Sequence, residues 1–96
     1  WYERLVQAHG GLARTQEFAR HFQVPGMGHC GGGPALDQFD PFGALVAWVE
    51  QGRAPDMLLA TGAAFPGRTR PLCAYPKTAR YLGSGSPDAA ASFRCE

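Results

Sequence analysis

Val24-Pro25-Gly26-Met27-Gly28-His29-Cys30, running on through Gly31, Gly32 and Gly33, is the stretch whose reading decides the rest of the chain. It follows an apolar run, turns at Pro25-Gly26, and carries a histidine beside a cysteine on a backbone with few steric limits. Such a turn presents a reactive side chain and leaves one face of the imidazole free.

Upstream, Glu17 to Pro25 reads as a short strand, with Phe18, Phe22 and Val24 on one side and Ala19, His21 and Gln23 on the other. Before it, Tyr2, Leu5, Val6 and His9 fall on one face of a helix that Gly10 and Gly11 stop. Downstream of the turn no periodicity shows until Asp40-Pro41, a strong helix start. Aspartate accepts from free backbone N–H groups, and proline fits the first helical position. Phe42, Leu45, Val46 and Val49, widened by Trp48, mark an apolar stripe that ends near residue 51, before Gly52 and Pro55. Met57 to Thr61 predicts a brief strand, Gly62 to Glu96 an irregular tail, and Asp88 to Ser92 a short helical turn within it. A lone strand leaves its backbone edges unsatisfied, so the expected sheet comes from outside a chain that begins at Trp1 and reads as a piece of a larger α/β domain.

The 96 residues suffice for one small core, and 13 glycines with 8 prolines, about twice the average usage, give much of the chain to loops. A net charge of +1 with scattered arginines excludes a basic nucleic-acid patch. No apolar run is long enough for a membrane-spanning helix, and the first residues lack the pattern of a signal peptide. The cysteine count is 3. In an oxidising compartment Cys73 can pair with Cys95 across a loop worth about 3 kcal/mol, leaving Cys30 over; three free thiols in a cytosolic protein is the alternative.

Gly26, Gly28 and Gly31 spell a dinucleotide-binding GxGxxG, but that signature needs a helix to open at once, and here the helix waits until Pro41. His9, His21, His29 and Cys30 lack the paired spacing of a zinc site, so no metal or cofactor is assigned. A histidine that merely hydrogen-bonds its turn is the bland reading of His29. Strand, histidine loop, amphipathic helix is, however, the order in which a serine hydrolase receives its last triad member. There the imidazole takes the serine proton as general base and returns it to the leaving group.

The stretch FARHFQVPGMGHCGGGPALDQFDPFGALVAWVEQGRAPD, with GRTRPLCAYPKTARYLGSG and the terminal Phe93-Arg94-Cys95, resembles the C-terminal end of the tannase and feruloyl esterase family. The resemblance covers nearly the whole chain. It implies an α/β class: the last sheet strand, catalytic-histidine loop, following helix and disulfide-linked tail of an α/β-hydrolase, with residues 1–96 a partial catalytic domain. It implies a secreted or periplasmic serine esterase acting on aromatic-acid esters such as feruloyl or galloyl esters. His29 then resembles the catalytic base, and Cys30 half of a bridge to a cysteine outside this chain, beside the nucleophile. Cys73 and Cys95 resemble a second bridge. The partners implied are the ester substrate and the remainder of the hydrolase, with neither nucleic acid nor membrane.

No nucleophile is expected here: Ser84, Ser86 and Ser92 all follow His29. Glu3 precedes it on a helix, whereas Asp37, Asp40, Asp56 and Asp88 come after. The lid, with the calcium site the family carries there, also lies outside. Alone, the segment is expected to be inert. The alternative is a small binding or structural module that kept the hydrolase end without its chemistry.

Overall fold

The computed structural model describes residues 1–96. Helix α1 spans Tyr2–Ala8 and α2 spans Leu12–Thr15, separated by the glycine pair that the sequence marks as a stop. Tyr2 is the buried residue of α1, and its hydroxyl donates to the Ala19 carbonyl at 2.9 Å. The tyrosine ring meets Tyr75 edge-on at 5.9 Å, and Tyr75 in turn donates its hydroxyl to Glu3 at 2.7 Å. The N-terminal helices are thereby fastened to the far half of the chain.

The strand expected over Glu17–Pro25 does not form as an element. After α2 the backbone stays helical in its bonding, with Phe18 and Ala19 N–H groups both donating to the Thr15 carbonyl. Phe18 leaves the expected face and packs on His9, ring centroids 5.0 Å apart. What survives of the strand is one antiparallel bridge, Phe22 to Ala74.

Helix α3 runs Pro41–Gln51 as the sequence predicts. The Asp40 side chain accepts the Gly43 N–H at 2.8 Å, and Gly52 closes the helix in the left-handed conformation at φ 68°. Its apolar stripe is largely uncovered within the chain: no α3 residue is buried, and Phe42, Leu45 and Val49 lie exposed.

The strands that do form find partners within the chain. Strand β1, Met57–Ala60, pairs antiparallel with β2, Arg70–Cys73, and β3, Ala79–Tyr81, with β4, Phe93–Cys95. The tail is therefore two ladders and a 3₁₀ turn at Ala90–Ser92 rather than irregular chain. Pro71 hides β2 from a sequence reading, since it cannot donate to a ladder; a narrow sheet tolerates it.

Leu58, Ala60 and Leu72 form the core, with Phe22, Val24, Leu36, Phe39 and Ala44 packed against them. Both limbs of the histidine loop rest on this centre. Upstream, Tyr75 N–H donates to the His21 carbonyl at 2.7 Å; downstream, Gln38 and Thr61 exchange backbone bonds of 2.8 and 2.9 Å.

The β3–β4 ladder ends in a charged clasp, where Glu96 accepts from Arg80 at 2.8 Å and from Arg94 at 2.6 Å. Burial raises the Glu96 carboxyl, but the hydrogen bonds and charges of the two arginines outweigh it and hold the group below its ordinary value of 4.5. A group lowered in the fold stabilises it above the unfolded value and loses that contribution as pH falls through the folded value. Wild type is therefore expected to exceed Glu96→Gln in urea midpoint at neutral pH. The difference should close as the solution is acidified below pH 4.5.

Candidate functional site

His29 and Cys30 are exposed in a loop closed by backbone hydrogen bonds. Val24 accepts the Met27 N–H at 3.3 Å, turning the chain, and Gly28 N–H donates to the Gly32 carbonyl at 3.0 Å, closing a small ring that carries both residues. The limbs of the loop cross at Gly26 and Gly33. Gly26 has φ +77°, and a Cβ there would stand 2.5 Å from the Pro34 carbonyl oxygen; one on Gly33 would stand 2.5 Å from the oxygen of Gly26. Glycine is required at this crossing by space and by conformation together. Gly26→Ala is expected to cost about 2 kcal/mol, read as a fall in the urea midpoint.

Asp37 pins the loop from below, its Oδ2 accepting the Gly32 N–H at 2.6 Å. Sequence reading counts Asp37 only as an acid on the wrong side of His29. The available signal is a short polar side chain in an aperiodic loop after three glycines, the kind that bonds nearby backbone.

The His29 ring has one side-chain partner, with Nδ1 3.0 Å from Cys30 Sγ. Nε2 makes no hydrogen bond within the chain and is free to exchange a proton with a group brought to it. Cys30 is a free thiol, while Cys73 and Cys95 form a disulfide in the tail, between β2 and β4. The structure thus brings His29 and Cys30 together and holds the other cysteine pair elsewhere.

None of the serines reaches His29. Ser92 is buried, its carbonyl bonded by Leu82 N–H, and the Ser86 hydroxyl accepts the Asp88 N–H. The other histidines are occupied with aromatic neighbours: His9 with Phe18, and His21 with Tyr2 and Tyr75. No three His, Cys, Asp or Glu side chains converge in a geometry that could hold a metal ion.

The histidine is thus exposed, presented by a glycine loop between a core-anchored limb and a helix. The chain is a member of the tannase and feruloyl esterase family, whose pattern matches residues 1–96. It is 52% identical over 101 residues to the mono(2-hydroxyethyl) terephthalate hydrolase of Piscinibacter sakaiensis, covering 99% of this chain and 16% of that protein. A probable feruloyl esterase of Arthroderma benhamiae is 39% identical over 92 residues, covering 90% of this chain and 17% of its own length. Among solved structures, an esterase from Aspergillus oryzae superposes with a TM-score of 0.78 at 28% identity, over 99% of this chain and 23% of that one. The chain thus spans less than a quarter of the length of each of these relatives.

Proposed function

We propose that residues 1–96 are the C-terminal part of an α/β-hydrolase catalytic domain, in a secreted or periplasmic serine esterase of aromatic-acid esters, and that His29 is its general base. The observation that carries this reading is the family match over all 96 residues with His29 exposed at the head of its loop. Support for the substrate class comes from the relatives, which include a terephthalate monoester hydrolase and feruloyl esterases. The Cys73–Cys95 disulfide supports an oxidising compartment.

In this reading the chemistry divides cleanly. Nε2 of His29 accepts the proton of a serine hydroxyl supplied by the rest of the hydrolase. The serine oxygen attacks the ester carbonyl, and the imidazolium returns the proton to the departing alcohol, leaving an acyl-serine. Water then attacks that acyl group by the same proton route in reverse. Cys30, bonded to a cysteine beside the serine, ties nucleophile to base. That bond also removes the thiol as partner of Nδ1 and frees this nitrogen for a carboxylate.

The test is a chimera in which these 96 residues replace the matching segment of the Piscinibacter sakaiensis hydrolase. The chimera is expected to hydrolyse mono(2-hydroxyethyl) terephthalate or a feruloyl ester, and the isolated chain to hydrolyse neither. Hydrolysis by the pure 96-residue chain, lost on mutation of His29 to Ala, would sink this reading.

A further inference from the structure

Three glycines separate Cys30 from Pro34, and all take positive φ, 142° at Gly31, 71° at Gly32 and 83° at Gly33. A run with so little steric restraint does not hold its own shape, so the orientation of the ring that carries His29 depends on what bonds to the run. Three hydrogen bonds do. Gly28 N–H reaches the Gly32 carbonyl at 3.0 Å and Ala35 N–H the Gly33 carbonyl at 2.8 Å, both within the backbone of the loop itself. The third involves a side chain from the base of the loop: Asp37 Oδ2 accepts the Gly32 N–H at 2.6 Å.

Asp37 stands where it can transmit restraint from the core. Its neighbour Gln38 exchanges backbone bonds of 2.8 and 2.9 Å with Thr61, just past β1. The Leu36–Asp37 backbone also lies so close to Gly62 that a Cβ there would stand 2.9 Å from Leu36 Cα and 3.2 Å from the Asp37 nitrogen. Leu36 in turn packs against the Leu58–Ala60–Leu72 cluster. The carboxylate joins no ion pair and makes no second hydrogen bond within the chain, so its reach is directed to Gly32 alone. The path from core to imidazole runs from Thr61 through Gln38, Asp37, Gly32 and Gly28 to His29, and one side chain spans the gap between rigid base and glycine run.

We propose that Asp37 is a positioning residue for the esterase reaction: by holding Gly32 to the core-anchored base of the loop, it aims His29 Nε2 at the proton it must take. Asp37 makes no hydrogen bond to His29 and acts through the glycine run. The inference rests on the reading of His29 as general base. Its physical reason is distance. A proton passes between heavy atoms about 2.6 to 3.2 Å apart, and misplacing a reacting group by about 1 Å costs about a hundredfold in rate. Substrate affinity does not depend on the aim of the imidazole, so loss of Asp37 should lower kcat and leave KM. The role asks for an acceptor at the right reach, not for a charge.

Steady-state kinetics on the chimera test it, together with amide hydrogen exchange read by mass spectrometry on fragments covering Gly31 to Gly33. Asp37→Ala is expected to lower kcat about 30- to 100-fold with KM within about twofold of wild type. Exchange at Gly32 should quicken at least about tenfold while Gln38 and Thr61 stay protected. Asparagine keeps an acceptor oxygen at the same reach, so Asp37→Asn is expected to return kcat to within about fivefold of wild type and to restore protection at Gly32. A wild-type kcat in Asp37→Ala would overturn the proposal. A fall in Asp37→Asn as deep as in the alanine variant would do so too, by showing that the charge acts rather than the bond. A rate lost together with protection at Gln38 and Thr61 would make Asp37 a support of the fold and overturn it as well. If Asp37→Ala yields no folded chimera, Asp37→Glu takes its place, with the charge kept and the reach changed. Its rate is expected to follow protection at Gly32, and a rate that departs from that protection in either direction overturns the proposal. The same kinetics with His29→Ala keep the two readings apart. Hydrolysis that survives His29→Ala overturns the general-base reading and the positioning role with it, whereas His29-dependent hydrolysis indifferent to Asp37 overturns the positioning role alone.

Discussion

His29→Ala in the chimera is expected to lower kcat/KM for its ester by about four to six orders of magnitude, with the urea midpoint nearly unchanged. The size follows from the role. A serine hydroxyl is a poor nucleophile without a base, and the same imidazole must protonate the leaving alcohol, so both halves of the turnover stall. The small effect on stability follows from the structure: His29 is exposed, its ring makes one side-chain hydrogen bond, to Cys30 Sγ, and it is not part of the core cluster. A histidine that merely braced its turn would give the opposite pattern, a shifted midpoint with most of the rate retained. The pair of measurements therefore separates the catalytic role from the structural one. Gly26→Ala is the complementary case, because it leaves the imidazole intact and disturbs the crossing that carries it.

Features whose cause is local were legible in the sequence. Asp40, Pro41 and Gly52 define α3 by capping chemistry that needs no neighbour, and the structure forms that helix at the expected bounds. The histidine loop is equally local, since glycines and a proline specify a turn wherever they stand. The strand over Glu17–Pro25 was misread as an element because a strand exists only through its partners. The alternation is present, but one bridge at Phe22 is all that Ala74 provides. The tail was misread in the other direction. Its strands are three or four residues long, too short for alternation to show among glycine, proline and serine, and β2 contains Pro71. What assembles them is non-local: Ala79 opposite Cys95, and the Arg70 guanidinium 3.9 Å from the Phe93 ring centre. Asp37 escaped for the same reason, because its role depends on Gly32 folding back above it. The α3 stripe is apolar in the sequence and largely uncovered in the structure. Periodicity locates a face that favours burial without saying what buries it.

Replacing both tail cysteines, Cys73→Ser with Cys95→Ser, is expected to remove about 3 kcal/mol from the stability of the 96-residue chain, the entropy of a loop closed over 22 residues. A domain of this size has only about 5 to 14 kcal/mol in all, so the loss is a large share of it. The reason lies in how little else holds the tail. The β3–β4 ladder has two strands of three residues, and such a ladder is marginal by itself in water. Its other ties to the centre are two bonds to Thr69, whose N–H donates to the Asp88 carbonyl at 2.9 Å and whose Oγ1 accepts the Ala90 N–H at 2.8 Å, and exposed side-chain contacts: Arg68 to Asp88 at 2.6 Å, Arg70 to the Pro87 carbonyl at 2.8 Å, and the stacking of Arg70 on Phe93. Exposed ion pairs of this kind contribute about 0 to 1 kcal/mol each. The covalent bond between β2 and β4 is therefore the main restraint on the hairpin, and its loss should be felt first there. Amides of Thr78, Leu82 and Glu96, whose bonds close the ladder, are expected to lose protection, while Gln38 and Thr61, which hold the histidine loop to β1, keep theirs. A uniform loss at all five would mean that the disulfide supports the whole fold. An unchanged urea midpoint would mean that the hairpin holds without it, and that the stability of the tail lies in the arginine contacts after all.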